Sequence, residues 1–240
     1  MNKPFAPAPP GTHPPLDYPD YRSTALRHPN HDPLVLDPGK LDPTDLSGPL
    51  FGERSVSDSD ADLTVGPDGE AVGQRIIVTG RLLDGTGDPI GSSLVEIWQA
   101  NASGRYRHVG DQWPGTLDPN FAGAGRCLTD ADGRYRFLTI RPGAYPWGNH
   151  HNAWRPAHLH FSLFGRSFTQ RLVTQMYFPD DPLFFQDPMY NSIPDQHARD
   201  ALVARYDHGT TEPEWALGYH FDIVLRGPQR TPFEAGPDES

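Results

Sequence analysis

The residues of this chain whose types and spacing could do chemistry are His158-Leu159-His160, Tyr145 thirteen residues before the first histidine, and Tyr106 further upstream. In a β-strand successive side chains point to opposite faces, so His158 and His160 share one face about 6–7 Å apart and Leu159 takes the other. Two imidazoles placed this way can converge on one metal ion. Imidazole serves zinc, copper, nickel and iron alike, so the histidines alone do not name the metal. The tyrosines narrow the choice. A phenolate is a hard anionic donor with a free pKa of about 10, and a strongly Lewis-acidic ion such as Fe(III) is needed to make it a routine ligand at neutral pH. Taken singly, the features have plainer readings: a His-x-His pair as the exposed polar face of a strand, the tyrosines as packing or turn residues. The joint arrangement points to a non-haem Fe(III) site, one per chain, made of Tyr106, Tyr145, His158 and His160.

The elements that must position these side chains are short and β-rich. Arg75–Leu83, Leu94–Gln99, Tyr135–Thr139, His158–Leu163, Arg171–Phe178 and Tyr219–Leu225 read as strands, separated by Gly, Asp and Pro. Asp130-Ala-Asp-Gly133 reads as the hairpin turn before Tyr135 and lacks the oxygen ligands of a calcium loop. Asp195–Tyr206 reads as the one helix, with Asp195 as N-cap after Pro194. Many short strands and one short late helix make an all-β fold, a β-sandwich of mostly antiparallel strands. Tyr106 and Tyr145 are expected in loops at its end, while the histidines sit on a strand that holds them rigidly. Residues 1–73, rich in Pro, Asp and Gly, cannot fold around a core of their own and read as a long N-terminal arm; residues 74–240 read as the sandwich domain.

Length and composition set outer bounds. A chain of 240 residues can bury a sizeable core. Its net charge of −11 argues against nucleic acid or an anionic membrane as partner. No apolar run approaches a membrane span, and the N-terminus lacks the apolar core of a secretory signal, so a cytoplasmic protein is expected. The single cysteine, Cys127, excludes an intrachain disulfide and reads as a small buried apolar side chain.

Four blocks carry a resemblance: Glu96–His108, Asp118–Cys127, Pro142–Trp147 and Trp154–Phe161. In order and spacing they resemble the intradiol ring-cleavage dioxygenases, and within that family the iron-bearing beta subunits. The likeness runs from Pro19-Asp20-Tyr21 to Gly227, most of the chain. It implies ring cleavage of protocatechuate by dioxygen, between the two hydroxyl-bearing carbons, to 3-carboxy-cis,cis-muconate, in an assembly with a homologous alpha subunit. It also implies roles for single residues. Tyr145 is the ligand displaced when the catechol chelates, and Tyr106 stays bound. Arg155 is the cation that stabilises negative charge on the substrate, and Gln175 orients it. Trp147, Trp98 and Met189 wall the pocket, while Tyr21 and Arg27 reach the substrate from the arm.

One departure bears on the substrate. Where better-known members carry an arginine after Tyr145-Pro-Trp147, this chain has Gly148, followed by Asn149-His150-His151. Loss of that cation opens the alternatives of catechol or hydroxyquinol as substrate. His150 and His151 read as a solvated pair, with a second metal site as the alternative. From another class, the competing reading is a β-sandwich binding or assembly module without chemistry.

Overall fold

Alternating apolar runs become strands in the computed structural model, which describes residues 8–15, 17–22, 24, 56–148, 153–164 and 171–233. In chain order the strands are β1 (Val65–Gly66), β2 (Gly69–Glu70), β3 (Arg75–Leu83), β4 (Leu94–Trp98), β5 (Ala124–Leu128), β6 (Arg134–Ile140), β7 (Tyr145–Trp147) and β8 (Ala153–Arg155). β9 (His158–Phe164), β10 (Arg171–Tyr177), β11 (Arg205–Tyr206), β12 (Leu217–His220) and β13 (Ile223–Val224) follow, with two short helices, α1 (Pro188–Asn191) and α2 (Gln196–Asp200), after β10.

Two sheets make the sandwich. One is antiparallel in the order β10-β9-β4-β5; the other is mixed, in the order β11-β12-β3-β13, with β6 also paired to β3. β9 shows why they close on each other. Leu159, Phe161 and Leu163 are all 0% exposed and belong to the main core cluster. The Phe161 ring lies 5.7 Å from Tyr135, 6.4 Å from Phe137 and 5.5 Å from Phe221, so residues of both sheets meet around it. Each such side chain contributes about 1.5–3 kcal/mol of transfer free energy. The same alternation turns His158, His160 and Ser162 to the other face of the strand. Among residues before Gly73, Leu63 and Ala71 also enter the main core, and the Leu63 amide donates to the carbonyl of Leu138 on β6.

The structure departs from the sequence reading at five points. The helix expected over Asp195–Tyr206 is only Gln196–Asp200, although Asp195 does cap it, accepting from the amides of His197 and Ala198. It stops because the Tyr177 amide donates to Leu202 and the Ala204 amide donates to Tyr177, so the chain pairs with the end of β10 before entering β11. A second helix, α1, is too short to show a 3.6-residue period; its sequence signal is the Asp187-Pro188 pair, an N-cap followed by proline at the first position.

The strand expected over Tyr219–Leu225 is broken into β12 and β13. Between them Phe221 presses its carbonyl to 1.8 Å of where a Cβ on Gly80 would lie, and the Asp222 carboxylate accepts the Arg81 amide at 2.8 Å. Asp130–Gly133 is a tight turn with Gly133 at φ 73°, but it does not close a hairpin. It carries the chain from β5 in one sheet to β6 in the other. Finally, Tyr145 lies in a short ribbon rather than a loop: β7 pairs β8 in the register Tyr145 to Arg155 and Trp147 to Ala153. Among the described residues, no helix is long and apolar enough to cross a membrane.

Candidate metal centre and substrate cleft

The two histidines come from β9, and their rings lie 4.9 Å apart. The His160 ring stacks flat on Trp98, its cross-strand partner on β4, at 4.7 Å and 5°. His158 Nδ1 lies 2.7 Å from the Pro156 carbonyl. A carbonyl can only accept, so the proton is on Nδ1 and the Nε2 lone pair is free to face the site. Burial first, then electrostatic repulsion from Arg155 and the neighbouring His160, holds the His158 pKa well below the ordinary histidine value. The imidazole is therefore neutral, the form that binds a metal.

The tyrosines arrive on two loops that are stitched together. Asn101 organises the first: its side-chain oxygen accepts from the amides of Ser103 and Arg105, and its side-chain nitrogen donates to Thr116. Gly104 is at φ 75°, and a Cβ there would meet the Ala144 carbonyl at 2.4 Å. Gly143 donates its amide to Asn101, and its own Cβ would meet the Ala102 carbonyl at 2.5 Å. These two glycines let the loops touch, and the Tyr106 amide is then fixed by Asp111 Oδ2 at 2.7 Å. As a result the rings of Tyr106 and Tyr145 meet edge-on at 5.4 Å.

Tyr106 Oη lies 3.1 Å from His160 Nε2, and Tyr145 Oη lies 3.4 Å from His158 Nε2. Two phenol oxygens and two imidazole nitrogens from three separate segments thus converge. This donor set fits Fe(III): hard anionic oxygen joined to a borderline nitrogen donor whose tautomer is fixed by a backbone carbonyl. Among the described residues, no group of three or more His, Cys, Asp or Glu offers another metal site.

A cleft of about 810 Å³ is lined by Tyr106, Tyr145 and His160 together with Trp98, His108, Trp113, Trp147 and Gly148. Tyr21, from the arm, is buried and meets Trp147 edge-on at 4.7 Å. Among the described residues, a Cβ on Gly148 would meet nothing within 4 Å, so none of them closes this wall. Met189 is buried away from the cleft lining, with its sulfur 3.6 Å from Gln175 Nε2. Arg27, His150 and His151 lie outside the described residues.

Behind Trp147 lies Arg155, only 3% exposed, with its guanidinium carbon 5.4 Å from the indole ring. Its Nη2 donates to Gln175 Oε1 at 2.5 Å, to the Tyr177 hydroxyl at 3.1 Å and to Asp187 Oδ2 at 3.1 Å. Gln175 and Tyr177 stand opposite His160 and His158 across the β9–β10 ladder. Sequence reasoning missed Tyr177 and Asp187. The first was readable as the next residue on the Gln175 face of the strand; the second had only its capping signal before Pro188.

Comparison with known proteins gives the family. A family model described as Dioxygenase matches residues 46–227, and one described as Protocatechuate 3,4-dioxygenase beta subunit N terminal matches residues 5–39. The chain is 56% identical over 225 residues to the protocatechuate 3,4-dioxygenase beta chain of Burkholderia cepacia, covering 93% of this chain and 94% of that one. It is 30% identical over 166 residues to the alpha chain of protocatechuate 3,4-dioxygenase from Pseudomonas putida, covering 68% of this chain and 77% of that one. The solved structure of 3-chlorocatechol 1,2-dioxygenase from Rhodococcus opacus superposes with a TM-score of 0.54 at 25% identity, covering 75% of this chain and 70% of that one.

Proposed function

The chain belongs to the intradiol ring-cleaving dioxygenase family, and from that membership we propose that it is the catalytic beta chain of a protocatechuate 3,4-dioxygenase. In this reading it works in the cytoplasm with a homologous alpha subunit and opens protocatechuate with dioxygen to 3-carboxy-cis,cis-muconate. One observation supports it: Tyr106 Oη lies 3.1 Å from His160 Nε2 and Tyr145 Oη 3.4 Å from His158 Nε2, with Tyr106, Tyr145 and His160 lining an aromatic cleft.

Bound there, Fe(III) supplies a Lewis-acidic centre that both catechol oxygens can reach and that makes the ring reactive toward dioxygen. The protein's own groups do the rest. Tyr106 and Tyr145 would both hold the iron through their phenol oxygens, and the Tyr145 oxygen, as a phenolate, would be the base for one substrate hydroxyl. His158 is held in one tautomer by the Pro156 carbonyl, so its geometry does not change as protons move. Trp98, flat against His160, and Trp147 give the cleft flat apolar walls that orient an aromatic ring and exclude water. Arg155 is a permanent cation just behind Trp147 and favours the negative charge that builds up on the deprotonated substrate. Tyr21, whose ring packs against Trp147, would in this reading donate its hydroxyl to the ring carboxylate.

The open wall at Gly148 supports a second reading, in which the substrate is an uncharged catechol or hydroxyquinol. Turnover on protocatechuate, catechol and hydroxyquinol separates the two, and a strong preference for an uncharged ring overturns the first. The primary test is the visible spectrum of iron-loaded protein purified with its alpha partner, before and after anaerobic protocatechuate. A tyrosinate-to-iron charge-transfer band that shifts on addition is expected. Protein that stays colourless after aerobic reconstitution with iron refutes the site.

A further inference from the structure

Asp187 is a carboxylate with 0% exposure that stands apart from the four donor residues. Both of its oxygens are committed. Oδ1 accepts the Met189 amide at 3.0 Å, starting α1, and lies 3.1 Å from Arg155 Nε. Oδ2 accepts from Arg155 Nη2 at 3.1 Å and from the Tyr177 hydroxyl at 3.0 Å. The carboxylate therefore accepts a hydrogen bond from Nη2 and lies at ion-pair distance from Nε, along one edge of the guanidinium. Gln175 Oε1 and the Tyr177 hydroxyl meet Arg155 at Nη2 alone. A neutral contact at one nitrogen leaves the plane of a guanidinium free to turn; a carboxylate that bonds Nη2 and also attracts Nε from 3.1 Å restricts it. Burial adds the second requirement, because a guanidinium removed from water without a counter-charge is strongly unfavourable.

We propose that Asp187 is a positioning residue for the reaction: it neutralises Arg155 and sets its orientation behind Trp147, with Tyr177 completing the clamp. The clamp joins three segments, β8, β10 and the start of α1, around one cation. The inference rests on the role given to Arg155 under the proposed function.

The test compares Asp187→Asn in the wild-type and Arg155→Gln backgrounds, on protein purified with its alpha partner and loaded with iron. Asparagine keeps an acceptor for the Met189 amide and removes the charge. In the wild-type background kcat is expected to fall about 10- to 100-fold, with KM for protocatechuate changing less than about threefold. The charge-transfer band and its shift with protocatechuate remain. In the Arg155→Gln background the same substitution is expected to change kcat less than about twofold and to lower the melting temperature less than it does in wild type, because the cation it served is gone. Equal losses in both backgrounds overturn the proposal and leave Asp187 as a helix cap. If Asp187→Asn does not fold, Tyr177→Phe in the same two backgrounds decides on the same criterion. A wild-type protein whose colour ignores protocatechuate refutes the proposed substrate instead, while the coupling of melting temperatures still reads the clamp.

Discussion

Leu159→Ala and His160→Ala, one residue apart on β9, should fail in opposite ways. Leu159 is 0% exposed in the main core cluster, and truncating a buried leucine costs about 3–5 kcal/mol through lost transfer energy and the cavity left behind. For a domain of this size each kcal/mol lowers Tm by about 2–4 °C, so a fall of about 6–20 °C is expected. The four donor atoms stand on other residues and the other face, so iron and its colour should be retained well below the new Tm. His160 contributes a donor nitrogen and a stack on Trp98. Its removal should abolish tight iron binding and the visible band, yet lower the Tm of metal-free protein only by what the stacking supplies, about 1 kcal/mol or about 2–4 °C. Metal analysis, the visible spectrum and calorimetry of both variants, with and without iron, make the comparison. Bleaching by Leu159→Ala at an unchanged Tm would refute the reasoning, as would a metal-free His160→Ala protein destabilised as much as Leu159→Ala.

Three further outcomes are expected. Gly148→Arg fits without strain, since a Cβ there meets nothing within 4 Å; it should lower KM for protocatechuate about 3- to 10-fold while leaving that for catechol unchanged, and equal effects on both would show that the added charge does not reach the carboxylate. His158 is held neutral by burial and by Arg155, and burial with Arg230 pushes His13 down to about 4. Folded pKa values below the unfolded 6.5 give stability that is full above about pH 6.5 and lost as pH falls through that value toward 4. Tm of the metal-free protein should therefore drop between pH 7 and 5, and His13→Gln should flatten part of the drop; an unchanged slope would remove His13 from the account. Burial pushes the Cys127 thiol from 9.0 up to about 12, so its alkylation at pH 8 should be about a thousandfold slower in folded than in unfolded protein, and comparable rates would show an accessible thiolate.

Much of the fold was legible because it rests on local rules. β3 begins and ends where the apolar run predicted, and β4, β6, β9 and β10 fall within a residue or so at either end. The alternation of β9 separated a histidine face from a Leu159-Phe161-Leu163 core face without further information. Elements spanning little more than one period of their pattern left no such trace. The three-residue strands β7 and β8 and the four-residue α1 are too short to repeat their pattern in the sequence. The split between β12 and β13 depends on Phe221 crossing over Gly80, a contact between residues far apart along the chain.

For the candidate site, residue chemistry and strand periodicity by themselves determined the donor types, the shared face of His158 and His160, and the family resemblance that ties them to Tyr106 and Tyr145. Those are properties of residue type and of spacing along one strand, and both are written in one dimension. Tertiary structure decided the rest. It brought the two tyrosine loops into contact through Gly104 and Gly143, fixed the His158 tautomer against Pro156, and left the cleft wall open at Gly148. It also buried Asp187 against Arg155, a pairing across 32 positions that no local pattern encodes, because a salt bridge in a core depends on which surfaces meet after the sheets have packed.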